Sequence, residues 1–202
     1  MRKSAHLRSR MAFASGAWAV VLALLVLASL PSAAYVVNGT FDAGLSGWVG
    51  VGDVEVLTEA SLGDEGTVYS LLYQGVALPP GQFRLEFDFL NLVSGEVPTD
   101  PFAFPDTFYA SLYFINDLGT FDLDPLNPVF DDLSPVMDLD AFGLYNAVGT
   151  LSASPLGGNW QHFTHNFTNN FGFAIPTFEL LDLNAISGDS EVRIDNVSIQ
   201  PF

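Results

Sequence analysis

Apolar and polar residues alternate along much of the chain with a period of two. In the segment 83–89, Phe and Leu alternate with charged side chains, and in 108–114, Phe, Ala and Leu alternate with Tyr and Ser. Such alternation is typical of a strand that buries one face. Shorter patterns predict further strands over 54–57, 68–73, 161–168, 177–183 and 191–200, with Gly, Pro, Asn and Asp between them. No long helical stripe is present, so the sequence predicts an all-β fold, an antiparallel β-sandwich.

The segment at about 93–154 departs from this rhythm. It is rich in Pro and carries an acidic cluster between 117 and 140. Its aromatic residues, such as Phe121 and Phe130, argue against simple disorder. Long loops in compact domains tend to be functional or disordered. We therefore expect an elaborated loop insertion around a strand at 107–115, packed on one edge of the sandwich.

The first 34 residues have the organisation of a signal peptide. Four of the six basic residues lie within 1–10, the segment 11–30 is uncharged and apolar, and small residues follow at Ser32 and Ala34. This pattern predicts cleavage before Tyr35. An uncleaved anchor is the alternative, because a run of about 20 apolar residues can span a bilayer. We expect an exported protein with a single domain over 35–202 and no membrane attachment after cleavage.

Charge and composition exclude several classes of protein. The chain has no cysteine, which rules out disulfide scaffolds, zinc fingers, iron–sulfur clusters and thiol nucleophiles. Its formal net charge is −17. Beyond residue 34, two arginines and no lysine stand against 23 acidic residues, a formal net charge of −21. This balance argues against binding to nucleic acid and to anionic membrane surfaces.

Four sequence blocks resemble family four and family nine carbohydrate-binding modules of secreted bacterial proteins. They are VNGTFDAGLSGW at 37–48, QGVALPPGQF at 74–83, NWQHFT at 159–164 and VRIDNVSI at 192–199. They follow the family's order and span most of the chain after the leader, whereas the middle segment has no counterpart in it. The resemblance implies a jelly-roll sandwich of the galactose-binding-like type and a non-catalytic module that binds a polysaccharide or glycan.

The resemblance also implies a structural Ca²⁺ ion that joins the first segment to the last strand. Asp42 and Asp195 match two acidic positions of the family, and a backbone oxygen near Thr40 would be a further ligand. Asp64 or Glu65 would supply a loop carboxylate. Carboxylates and carbonyl oxygens are the ligands that Ca²⁺ prefers. The alternative is that Asp42 caps a turn and Asp195 makes a hydrogen bond at a β-bulge.

The polar faces of two predicted strands supply the candidate ligand-binding residues. On the strand at 107–115 they are Tyr109, Ser111 and Tyr113, and on the strand at 83–89 they are Arg84, Glu86 and Asp88. If both strands presented these residues on one concave sheet face, rings and hydrogen-bonding charges would lie side by side. The alternative is an ordinary solvent face in which Arg84 pairs with a carboxylate.

No enzymatic motif emerges from the sequence. It has no phosphate-binding glycine loop and no nucleophile elbow, and no pair of carboxylates is singled out for glycoside hydrolysis. The prediction is therefore a non-enzymatic protein. A surface or matrix structural protein, or a protein-interaction module, is the alternative to carbohydrate binding. An open groove at Tyr109 and Tyr113 would favour binding, whereas an insertion that covers both rings would favour the alternative.

Overall fold

The alternating segments pair into two antiparallel sheets in the computed structural model, which describes residues 35–63, 67–94, 105–124, 126–141, 143–183 and 190–202. The strands are, in chain order, β1 (Val49–Val51), β2 (Val54–Val56), β3 (Ala60–Gly63), β4 (Tyr69–Tyr73), β5 (Val76–Ala77), β6 (Gly81–Leu92), β7 (Thr107–Ile115), β8 (Asp132–Asp140), β9 (Gly143–Ala147), β10 (Thr150–Ala153), β11 (Gln161–Asn169), β12 (Phe173–Leu181) and β13 (Glu191–Pro201). A short 3₁₀ helix covers Leu118–Thr120.

Within these residues, sheet A has the strand order β1-β4-β12-β7-β8-β9, and β5 pairs with β12 beside this path. Sheet B has the order β10-β11-β6-β13-β3-β2. From β5 onward the chain crosses repeatedly between the sheets, as in a jelly roll. The predicted antiparallel β-sandwich is confirmed, and each segment predicted as a strand overlaps a strand of one sheet.

Aromatic rings from the inner faces of both sheets form the centre of the core. Phe87 of β6 meets Phe178 of β12 edge to face, with ring centroids 5.0 Å apart. Phe163 of β11 lies 5.1 Å from Phe87, and Phe108 of β7 lies 6.4 Å from Phe178 in a stacked arrangement. All four side chains are at most 1% exposed. Edge-to-face and stacked pairs at these separations add about 0.5–1.5 kcal/mol each to the free energy of burial.

The first of the four sequence blocks, 37–48, is a structural clamp that holds the start of the domain to β13. Asn38 donates its side-chain amide to the carbonyl of Gly44 at 2.7 Å, and its own carbonyl accepts from the indole of Trp48 at 3.1 Å. The carbonyl of Gly39 accepts from the backbone amide of Val197 on β13 at 2.9 Å. The first block is thereby joined to the last one.

Part of the segment 93–154 forms strands that the sequence analysis did not predict. The predicted strand at 107–115 is confirmed as β7, but β8, β9 and β10 also lie here, and β7 is an inner strand of sheet A. Pro135 obscured β8, because proline cannot donate to a ladder. The register of β7 and β8 shifts between Ala110 and Ser111, so that Pro135 stands beside a β-bulge, where a missing donor is tolerated. The described residues of 116–124 and 126–131 are irregular apart from the 3₁₀ turn and one isolated bridge.

Several predictions fall on residues outside the described ranges. The predicted leader at 1–34 lies there, and so do Asp64 and Glu65. The described ranges contain no helix with the length and apolarity needed to cross a membrane.

Replacing Gly39 with Ala should strongly destabilise the fold. The added Cβ would overlap the backbone carbonyl of Val197, which cannot move without breaking the clamp. We expect a loss of about 3 kcal/mol or more in the free energy of unfolding, measured by urea titration with circular dichroism. Gly81→Ala is the matched control, because its Cβ would meet the ring of Phe83 at an ordinary 3.5 Å. Equal stability of the two variants would contradict the clamp.

Candidate functional site

A row of polar side chains crosses the outer face of sheet A. Tyr109 on β7 stands directly opposite Glu179 on β12 and opposite Asp138 on β8. The neighbours of Tyr109 along β7, Phe108 and Ala110, are buried in the core, so the tyrosine faces outward. Directly opposed residues in a sheet have Cβ atoms about 5 Å apart. One ring is therefore flanked on both sides by a carboxylate.

Glu179 is held by two phenol groups. Its carboxylate accepts from the hydroxyl of Tyr69 at 2.9 Å and, more weakly, from the hydroxyl of Tyr113 at 3.4 Å. Burial raises the pKa of Glu179, and the two hydrogen bonds oppose this shift. Burial and then the charge of Glu179 raise the pKa of Tyr113 to about 12. At neutral pH both phenols remain protonated donors.

These side chains line a groove of about 380 Å³. Its walls are formed by Tyr109, Ser111, Tyr113, Leu133, Pro135, Met137, Asp138, Asn146, Glu179 and Leu181. Ligand-binding clefts typically have volumes of about 300–1,000 Å³ and combine apolar walls with a few polar groups. The groove meets both conditions.

The irregular loop 116–131 supports one end of the groove. Phe130 and Phe121 contact the ring of Tyr113 edge to face, with centroids 4.9 and 6.0 Å away. Phe121 also contacts Tyr73 at 5.5 Å. The loop therefore packs on Tyr113 and fixes its orientation, while Tyr113 and Tyr109 still line the groove.

The expectation that both predicted sets share one sheet face is wrong. Tyr109, Ser111 and Tyr113 lie on β7 in sheet A, whereas Arg84, Glu86 and Asp88 lie on β6 in sheet B. Both strands bury their apolar stripes in the same core from opposite sides. Their polar stripes must therefore point in opposite directions, away from each other.

The β6 set forms contacts within sheet B instead of a groove with the tyrosines. Arg84 lies 3.6 Å from Glu86 and donates to the side chain of Asn166 at 3.1 Å, which fits the ordinary solvent face. Asp88 is 2% exposed. Its carboxylate contacts Nδ1 of His162 at 2.9 Å and accepts from the side chain of Asn196 at 2.8 Å. The polar side chains of β6 thus form hydrogen bonds and ion pairs with their neighbours in sheet B and do not line the groove of sheet A.

Two of the predicted Ca²⁺ ligands, Asp42 and Asp195, lie near enough to each other at the clamp to interact electrostatically. Burial raises the pKa of Asp195, and the negative charges of Asp88, Glu59 and Asp42 raise it further. The backbone amide of Asn196 opposes the shift through a 2.7 Å hydrogen bond to Asp195 Oδ1. This hydrogen bond lies where β13 shifts register, as the bulge alternative expected.

Thr40 also belongs to the clamp. Its hydroxyl donates to the carboxylate of Asp42 at 2.7 Å. Across the described ranges, no group of three or more His, Asp or Glu side chains is arranged to hold a metal ion. The loop carboxylate of Asp64 or Glu65 lies outside those ranges, so the Ca²⁺ site stays a prediction.

Sequence reasoning missed Glu179, Asp138 and Asn146. Glu179 stands in the alternating segment 177–183, where its position marked it as outward-facing, but only strand pairing shows that it is a neighbour of Tyr109. Asp138 and Asn146 lie on β8 and β9, which the sequence analysis took for loop.

No family model matches the chain, and a search of curated proteins finds no match. Among solved structures, the chain is similar to TmCBM61 in complex with β-1,4-galactotriose, at 16% identity over 85% of this chain and 100% of that one, with a TM-score of 0.49. It is similar to a CBM4 structure at 15% identity, 80% and 99% coverage and a TM-score of 0.45. It is also similar to the C-terminal family 22 carbohydrate-binding module of Clostridium thermocellum Xyn10B, at 13% identity, 83% and 93% coverage and a TM-score of 0.44. All three are carbohydrate-binding modules, the class that the four sequence blocks resemble, and the similarity is one of fold.

Stability in calcium-free buffer should rise as the pH falls from neutral through the raised pKa of Glu179 toward its ordinary 4.5. In that window the folded state binds the proton more tightly than the unfolded state does, so protonation favours folding. Glu179→Gln should flatten this rise, whereas Glu55→Gln, on an exposed residue of β2, should not. Urea unfolding at several pH values measures the slopes. Identical slopes for both variants would contradict a desolvated Glu179.

Proposed function

We propose that the chain is a secreted, non-catalytic module that binds a carbohydrate in the groove of sheet A. The observation that carries this proposal is the grouping of the rings of Tyr109 and Tyr113 with the hydroxyl of Ser111 and the carboxylate of Glu179 along one groove. A basic and apolar leader at 1–34 supports secretion.

The chemistry of a sugar suits this lining. A pyranose has flat patches of C–H groups and a rim of hydroxyls. Tyrosine offers an apolar ring for the first and a phenol for the second. The Glu179 carboxylate accepts hydrogen bonds from hydroxyls, and hydrogen bonds to ionised acceptors are roughly twice as strong as neutral ones.

The arrangement favours binding over a surface or matrix structural role. Phe121 and Phe130 pack against the edge of Tyr113 without removing Tyr109 from the groove. A ring held by such contacts loses little conformational freedom when a ligand binds, which favours affinity. The same packing indicates a binding site that is preformed in the absence of ligand.

Removing the rings should abolish retention on polysaccharide. We expect Tyr109→Ala and Tyr113→Ala each to weaken binding at least about tenfold, because both lose stacking area in the groove. Affinity gels and pull-downs with galactan, xylan and β-glucan provide the measurement, after a glycan array has ranked the ligands. Phe202→Ala is the matched control, since it removes an exposed ring beside Arg84 on the opposite face.

Several outcomes would contradict this assignment. Equal retention of both tyrosine variants would remove the groove from consideration. A loss confined to Arg84→Ala would move the site to sheet B. Release of reducing ends from the bound polysaccharide would contradict the non-catalytic role, because Asp138 and Glu179 would then act as a carboxylate pair.

We further propose that Ca²⁺ joins the clamp to β13 through Asp42 and Asp195. A backbone oxygen near Thr40 and the carboxylate of Asp64 or Glu65 would complete the ligands. Burial is the main cause of the raised pKa of Asp195, and the charges of Asp88, Glu59 and Asp42 add to it, which supports a cation here. A bound ion would neutralise the repulsion among these charges and stabilise the folded state alone.

Chelation should lower the melting temperature of the wild type by about 5–10 °C, the effect of a ligand present at roughly 100 times its Kd. Asp195→Asn should remove the response to chelator. Asp124→Asn, on an exposed residue of the acidic loop, should retain it. Differential scanning calorimetry with and without EGTA measures the shift. An equal melting temperature of the wild type with and without EGTA would exclude a stabilising Ca²⁺ ion.

A further inference from the structure

The basic residues beyond residue 34 are confined to one of the two sheets. Beyond residue 34 the arginines are Arg84 on β6 and Arg193 on β13, and the histidines are His162 and His165 on β11. All of these strands belong to sheet B. Sheet A therefore contributes no basic side chain to the groove.

Within the described residues, the two groove carboxylates on sheet A therefore have no basic side chain beside them on their own sheet. Glu179 is hydrogen-bonded by the phenols of Tyr69 and Tyr113. Asp138 keeps one buried carboxylate oxygen, Oδ1, without a hydrogen-bond partner among the described residues. Burial and then the charge of Asp138 raise the pKa of Tyr109, and Glu179 adds to the shift. Both acids thus act on the same ring.

A cation above Tyr109 would interact favourably with the aromatic ring and with the carboxylates of Glu179 and Asp138 at the same time. The face of an aromatic ring attracts an ammonium group, by about 0.5–2 kcal/mol depending on desolvation. The register places a carboxylate on each side of that ring. At such separations, charges near a protein surface attract each other by several times the thermal energy. A neutral hydroxyl gains only a hydrogen bond there, and a carboxylate on the ligand is repelled.

We propose that the groove selects carbohydrate chains that carry protonated amino groups, of the glucosamine type, over their N-acetylated and uronic acid counterparts. The amine lies over Tyr109 between Glu179 and Asp138. This inference rests on the proposed function and specifies its ligand class.

The test compares three oligosaccharides of equal length by isothermal titration calorimetry. They are the trimers of glucosamine, N-acetylglucosamine and galacturonic acid. We expect the glucosamine trimer to bind at least about tenfold more tightly than the acetylated trimer, and the uronic acid trimer to bind least. The preference should shrink as the salt concentration rises from about 0.02 to 0.5 M, because salt screens exposed charges.

Variants separate the groove from the general attraction of an acidic protein for cations, since the residues beyond 34 alone carry a formal net charge of −21. Glu179→Gln and Asp138→Asn should each reduce the preference to within about threefold of parity. Glu55→Gln changes the net charge by the same amount on sheet B and should keep the full preference. Far-UV circular dichroism shows whether each variant is folded.

The outcomes distinguish this inference from the function on which it rests. If the wild type binds amine and acetylated trimers equally, the amine selectivity is wrong and carbohydrate binding stands. If Glu55→Gln loses the preference as fully as Glu179→Gln, the attraction belongs to the net charge and the inference is again wrong. If no trimer and no neutral polysaccharide binds, both proposals are wrong.

Discussion

The contact of Phe87 with Phe178 sets the geometry on which the other features of the molecule depend. It joins the inner faces of the two sheets, with Phe163 on one side and Phe108 on the other. A strand in either sheet must turn its apolar stripe toward these rings. Because side chains alternate across a strand, its polar stripe is then forced to the outer face. The positions of the groove on sheet A and of the polar network on sheet B both follow from this one constraint.

The alternation of residues predicted individual strands well and their pairing poorly. The stripes of 83–89 and 108–114 are equivalent as patterns, and nothing in either shows which sheet it joins. The expectation that Arg84 and Tyr109 share one face concerns the pairing of strands, and this pairing depends on contacts between distant segments. The same reason hid Glu179, whose strand was predicted but whose neighbour was not. Strand β8 was missed because the local rule against proline does not anticipate a bulge at Pro135.

The residues that carry the family resemblance act mainly in folding. Asn38 ties its own loop and accepts from Trp48, and Gly39 allows β13 to approach. Phe41 packs against Trp48 in a tilted arrangement, with ring centroids 5.2 Å apart, and is 1% exposed. These contacts serve the fold and involve no ligand. Such blocks therefore predict architecture, and the groove residues lie between them.

Net charge alone describes this surface incompletely. Two arginines on sheet B are each paired with nearby acids: Arg84 with Glu86, and Arg193 with Glu191 and with Glu59 in the connection between β2 and β3. Their charge is thereby neutralised close to where it stands, and little of it reaches the opposite face through the core. The field over sheet A is set by its own carboxylates, and the low-polarity walls of the groove strengthen that field. The sequence shows an excess of acid, whereas the sheet assignment shows where that excess is left without a cation, and it is there that the chain can distinguish one ligand charge from another.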